Sequence, residues 1–180
     1  NEANFEAHYC GTGPEIWKQM AGCDHSALIA GRKRLDAFVM SAGTGGTIAG
    51  VSRYLKECDA SIKVMLADPT GSSLLHKVLH GVCYTPQQSE RTVRKHRYDS
   101  IVEGVGLDRV TSNFNKGVAS IDGGYRIQDQ EIIDTAHWLL HNEGLFVGSS
   151  SALNVAAAVR TAHDLRQSFV QAGEPFRLVR

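Results

Sequence analysis

The chain has 180 residues, 42% of them hydrophobic and 21% charged, enough for one domain with a real apolar core. Its 19 basic and 19 acidic side chains cancel, so no long-range field draws it to nucleic acid or an anionic membrane, and a small molecule or another protein is the expected partner. No run of eighteen apolar residues and no charged-then-apolar leader stands in it, which gives no sign of a membrane span or secretory signal.

In chain order, "PEIWKQMA" (14–21) reads as a helix with Pro14 in its first turn and Gly22 at its end. "DAFVMSA" is a short buried strand. In "GGTIAGVSRYLKEC", Ile48, Val51, Tyr54 and Leu55 recur at helical spacing. "IKVMLAD" (62–68) is a second strand, stopped by Pro69. Residues 71–100 lack a period and read as an irregular surface insertion that contains the basic cluster Arg91, Arg94, Lys95, His96 and Arg97. Glu90 and Asp99 flank that cluster, and no aromatic platform accompanies it, so a solvated loop is expected there. "GGYRI" is a weak strand, followed by a helix in "DQEIIDTAHWLLHNEG" with Asp129 as its cap and Gly144 past its end. "LFVG" reads as a strand, "SALNVAAAVRTAHDL" as a helix and "RLV" as a strand start.

This alternation implies an α/β fold over residues 1–180: a single three-layer domain, an open, mostly parallel twisted sheet with helices on both faces. In such sheets ligands bind outside the carboxyl ends of the strands. Two small-residue loops fall there, "SAGTGGT" (41–47) and "VGSSS" (147–151). In the first, Gly43, Gly45 and Gly46 let several N–H groups converge, Thr44 and Thr47 add hydroxyls, and the following helix adds the positive end of its dipole. A phosphate fits that arrangement. The loop alone leaves two ligands open, because a nicotinamide dinucleotide would place Asp68 on a ribose in an oxidoreductase domain.

Other residues have plain readings. Cys10, Cys23, Cys58 and Cys83 are irregularly spaced, without a C-x-x-C, so reduced thiols in an intracellular protein are expected. His76 with His80, and His137 with His141, stand four apart but lack a flanking glutamate and a third ligand, so no metal is expected. Trp17 and Trp138 sit among apolar neighbours and are expected in the core. Ser149 to Ser151 lack a nucleophile elbow and are expected to cap a helix.

The segments "HYCGTGPEIWKQM", "AGTGGTIAGVSRYLKE", "LADPTGS", "VEGVGLDRV" and "NEGLFVGSSSALNVAAAV" together resemble the cysteine synthase and cystathionine β-synthase family of pyridoxal-phosphate enzymes, in the family's order and over nearly the whole chain. The resemblance is to the larger domain of that tryptophan synthase β-subunit-like fold. It implies pyridoxal 5′-phosphate as cofactor, its phosphate held by Gly43, Thr44, Gly45, Gly46 and Thr47. Gly104 would lie beside cofactor and substrate, and Ser150 would meet the pyridine nitrogen, with Ser151 the alternative one residue on. Ala152 stands where the family commonly has glycine, and Ser149 where glycine or isoleucine is usual.

A neutral serine hydroxyl does not hold the ring nitrogen protonated as a carboxylate does, which disfavours transamination and leaves loss of a β-substituent as the favoured path. The implied reaction is β-replacement on an activated serine by a sulfur nucleophile, as in O-acetylserine plus sulfide giving cysteine plus acetate. Cystathionine β-synthase activity is the near alternative, and a non-catalytic scaffold the distant one. The reaction needs a Schiff-base lysine. None of Lys18, Lys33, Lys56, Lys63, Lys77, Lys95 and Lys116 stands in the family's context for it, and the chain opens without Met. It therefore reads as a fragment of a longer enzyme, inactive alone, whose parent is expected to be a homodimer in the cytoplasm or a mitochondrion.

Overall fold

The computed structural model describes residues 2–22, 35–85 and 100–171. Strands β1 (Ala37–Ser41), β2 (Lys63–Pro69) and β3 (Gly123–Ile127) form a sheet in that order, both pairs parallel, with Ser41 beside Ala67 and Asp68 beside Arg126. Parallel pairing puts the three carboxyl ends on one edge. The helices are α1 (Glu2–Ala7), α2 (Gly13–Gly22), α3 (Gly46–Cys58), α4 (Leu74–His80), α5 (Ser112–Gly117), α6 (Asp129–Trp138) and α7 (Ser149–Gln171).

The sheet is buried on both faces, as strands without polar alternation require. Phe38, Met40, Val64 and Leu66 pack on one side with Ile48, Leu74 and Phe114 from α3, α4 and α5. Val39, Ala67 and Ile127 pack on the other with Ile132 of α6 and Ala152, Leu153 and Ala156 of α7. Within α3, Ile48, Val51 and Leu55 are fully buried, each contributing about 1.5–3 kcal/mol. These three layers are the architecture expected from the alternation of strands and helices.

Four local expectations are corrected. Residues 74–80 of the supposed irregular insertion form α4, and residues 2–12, left unassigned by periodicity, form α1 and a π-helical turn at His8–Thr12. Asp129 does not cap α6. Gln128 holds that position, and the Asp129 carboxylate accepts from the Ser100 hydroxyl at 2.8 Å and the Ile101 N–H at 3.2 Å, tying the start of α6 to residues 100–101. "LFVG" pairs with no strand among the described residues. The Leu145 N–H is taken by the Leu139 carbonyl in the helix-ending turn at Gly144, and Phe146 is 89% exposed. Trp138, expected in the core, is 55% exposed, because α6 turns its Ile132 face inward. The basic cluster at 91–97 and "RLV" lie outside the described residues.

Candidate functional site

Each strand delivers its chain end to the same edge. After β1, Ala42 to Gly45 lead into α3. Gly45 has φ +82°, the left-handed conformation that glycine adopts freely, and a Cβ there would fall 2.5 Å from that of Phe114. Gly45 brings no capping side chain, so it leaves the first N–H groups of α3, at the positive end of the helix, without a side-chain cap. A Cβ on Gly43 would collide with the carbonyl oxygen of Gly104, so two glycines distant in sequence meet as bare backbone.

The Gly104 loop is bound to this edge at several points. The Gly106 N–H donates to the Ala42 carbonyl at 2.8 Å, and the Thr111 hydroxyl to the Thr44 carbonyl at 2.5 Å. A cavity of about 330 Å³ adjoins the loop, lined by Thr70, Ser72, Ser100, Glu103 and Gly104 among others, with Glu103 the only ionisable side chain among the described lining residues. The third sequence-predicted element starts at the same place: α7 begins at Ser149, and Asn154, one turn after Ser150, accepts the Ser41 N–H at 2.7 Å. Ser150 is half-buried there and Ser151 exposed.

Sequence reasoning missed the residues that steady the loop from outside. Asn4 donates to the Thr44 hydroxyl at 3.0 Å, and His8 bridges the hydroxyls of Thr47 and Thr12, each at 3.0 Å. The π-helical turn places His8 over α3. A detectable signal existed: Gly46 and Gly50 stand four apart on one face of α3, where α1 packs so closely that a Cβ on Gly50 would lie 2.6 Å from the Phe5 carbonyl.

Asp68 cannot serve a ribose, as the dinucleotide alternative required. It is 0% exposed and accepts the Leu75 N–H at 3.0 Å. Burial raises its pKa above the ordinary aspartate range, against the Leu75 N–H hydrogen bond and the charge of Arg126, which pull it down. The folded state thus holds this proton more tightly than the unfolded chain does. The resulting stability is fully present below the unfolded value of about 3.9 and is lost as pH rises through the folded one. Asp68→Asn should remove this fall, leaving a flatter dependence of unfolding free energy on pH across that window in urea titrations. An unchanged slope would refute the assignment.

Residues 1–171 match the family described as "Pyridoxal-phosphate dependent enzyme". The chain is 52% identical to "Cysteine synthase 2" of Schizosaccharomyces pombe over 92% of its own length and 39% of the relative's. It is 47% identical to "Cysteine synthase 2" of Emericella nidulans, over 90% of the chain and 35% of the relative. The crystal structure of O-ureido-L-serine synthase superposes with a TM-score of 0.64 at 26% identity, covering 87% of this chain and 40% of that one. The chain thus spans about two-fifths of the length of the relatives it matches. On a match that runs through the loop, the Gly104 segment and α7 alike, the chain belongs to the pyridoxal-phosphate dependent enzymes.

Proposed function

We propose that this chain is the larger, phosphate-holding domain of an enzyme performing β-replacement on an activated serine with a sulfur nucleophile. In its cysteine synthase-like form, O-acetylserine and sulfide give cysteine and acetate. The observation that carries the reading is the uncapped turn at Gly45, pressed against a second bare-backbone loop at Gly104. The residues present fit pyridoxal 5′-phosphate: a dianion suits the N–H groups of Gly46 and Thr47, and no acidic side chain occupies residues 41–51 to repel it.

When bound, the cofactor supplies an electron sink that labilises the substrate's Cα proton and lets the β-substituent depart. The chain's own residues do the rest. The backbone at 43–47 and the hydroxyls of Thr44 and Thr47 bind the phosphate, with Asn4, His8 and Thr111 holding those hydroxyls and the loop in place. Gly104 leaves room for the substrate, and the Ser150 hydroxyl meets the ring nitrogen. Among the described lysines, Lys56 is paired with Asp122 at 2.8 Å, Lys77 bonds the Gly81 carbonyl at 2.6 Å and Lys116 pairs with Glu2. Neither Lys18 nor Lys63 belongs to the loop or the cavity wall. The cofactor-carrying lysine is accordingly assigned to polypeptide other than these residues.

Assayed with O-acetylserine and sulfide in a polypeptide of the relatives' length, the protein should release cysteine. Residues 1–180 alone should release none. Cofactor-loaded full-length protein that makes no cysteine from these substrates would overturn the reading. So would turnover by residues 1–180 alone, for the lysine assignment.

A further inference from the structure

The turn after β2 is held by an ion pair, buried at its carboxylate end, that the phosphate cradle and the ring contact do not use. Asp68 and Arg126 are neighbours across β2 and β3, and Arg126 Nη2 lies 3.6 Å from Asp68 Oδ2, with the guanidinium side chain 30% exposed and the carboxylate 0%. Asp68 Oδ1 has no hydrogen-bond partner among the described residues. A pair so incompletely satisfied is a weak source of stability, since removing two charges from water costs several kcal/mol per ion, at about the level their attraction returns. Its geometry does something else. Arg126 Nη1 donates to the Ser72 carbonyl at 2.7 Å and the Pro69 carbonyl at 3.4 Å, closing the turn from both ends.

That turn is in turn bonded to the Gly104 loop. The Ser72 and Ser73 hydroxyls donate to the Leu107 carbonyl at 3.1 and 3.2 Å, the Ser73 N–H donates to it at 2.8 Å, and the Leu107 N–H donates back to Ser72 Oγ at 3.1 Å. One residue before Leu107, the Gly106 N–H reaches Ala42, which adjoins the bare contact of Gly43 with Gly104. A continuous set of bonds therefore runs from the guanidinium to the cradle.

We propose that Asp68 and Arg126 are a positioning pair for the pyridoxal phosphate site. Asp68 aims the guanidinium, whose two carbonyl bonds fix the 69–73 turn, and the turn fixes the 104–107 loop against residues 42–43. The proposal rests on the reading of the 43–47 loop as a phosphate cradle.

The test is equilibrium titration of the purified full-length protein with pyridoxal 5′-phosphate, well below its unfolding temperature. The variants are Arg126→Gln, Asp68→Asn, the double variant and Gly43→Ala, with Tm measured for each. Arg126→Gln and Asp68→Asn should each raise Kd about tenfold, and the double variant should be less than threefold weaker than either, as coupled residues require. A merely structural pair would lower Tm and leave Kd unchanged, and that result overturns the proposal. If Asp68→Asn does not fold, Arg126→Gln, at a partly exposed side chain, decides the matter alone. Gly43→Ala separates the two readings. Unaltered Kd in that variant sinks the cradle itself, whereas lost binding there with unaltered Kd in Arg126→Gln sinks only the positioning pair.

Discussion

Gly45→Ala should destabilise the fold by about 3 kcal/mol, from a left-handed alanine costing about 1–2 kcal/mol and an overpacked contact costing a similar amount. The φ of +82° sets the first cost, and the 2.5 Å approach to Phe114 Cβ sets the second. Because Phe114 is itself fully buried beneath the turn, it cannot move aside without opening the core. The loss is a large share of a typical domain's stability of about 5–15 kcal/mol. Urea denaturation of the variant checks it: a midpoint within experimental error of the parent's would show that the turn is not built as described.

Phe114→Ala should cost about 3–5 kcal/mol, the range for deleting a fully buried aromatic ring. Its side chain packs in the cluster of Ile48, Leu66 and Leu74, and its N–H donates to the Thr111 hydroxyl at 3.1 Å, which in turn holds the Thr44 carbonyl. The cavity would therefore open directly under the 43–47 loop. Two readouts are expected to move together, the denaturation midpoint downward and the Kd for pyridoxal 5′-phosphate upward. A loss of stability with unaltered cofactor affinity would disconnect the core from the cradle. Leu55→Ala serves as the comparison, because it empties a cluster with Val51 and Ile62 at the far end of α3 and should lower stability alone.

The layered fold was legible because β1 and β2 are apolar runs and the helices carry a regular face: Ile48, Val51 and Leu55 announce α3, and both loops at the sheet edge are conspicuously small. What escaped depends on contacts remote in sequence. α1 shows no apolar repeat of its own beyond Phe5, and its placement comes from Gly46 and Gly50, whose bare surface admits it. Asn4, His8 and Thr111 reach the loop from α1, a π-helical turn and a distant helix cap, none of which local pattern announces. Asp129 looked like a cap because aspartate favours that role, yet Ser100 and the Ile101 N–H claimed its carboxylate. "LFVG" has strand-forming residues but no neighbour to pair with among the described ones, and an unpaired segment gains nothing from extended geometry. Asp68 has the position expected of a ribose ligand, and only the fold reveals that it faces Leu75 and Arg126 instead.

The most direct check on the phosphate cradle is competition between pyridoxal 5′-phosphate and pyridoxal, titrated into the full-length protein. Two charge-assisted hydrogen bonds from the cradle, at about 1.5–3 kcal/mol each, should make the phosphorylated compound bind at least about a hundredfold more tightly, with inorganic phosphate displacing it competitively. Equal affinity for the two compounds, together with indifference to inorganic phosphate, would contradict the account.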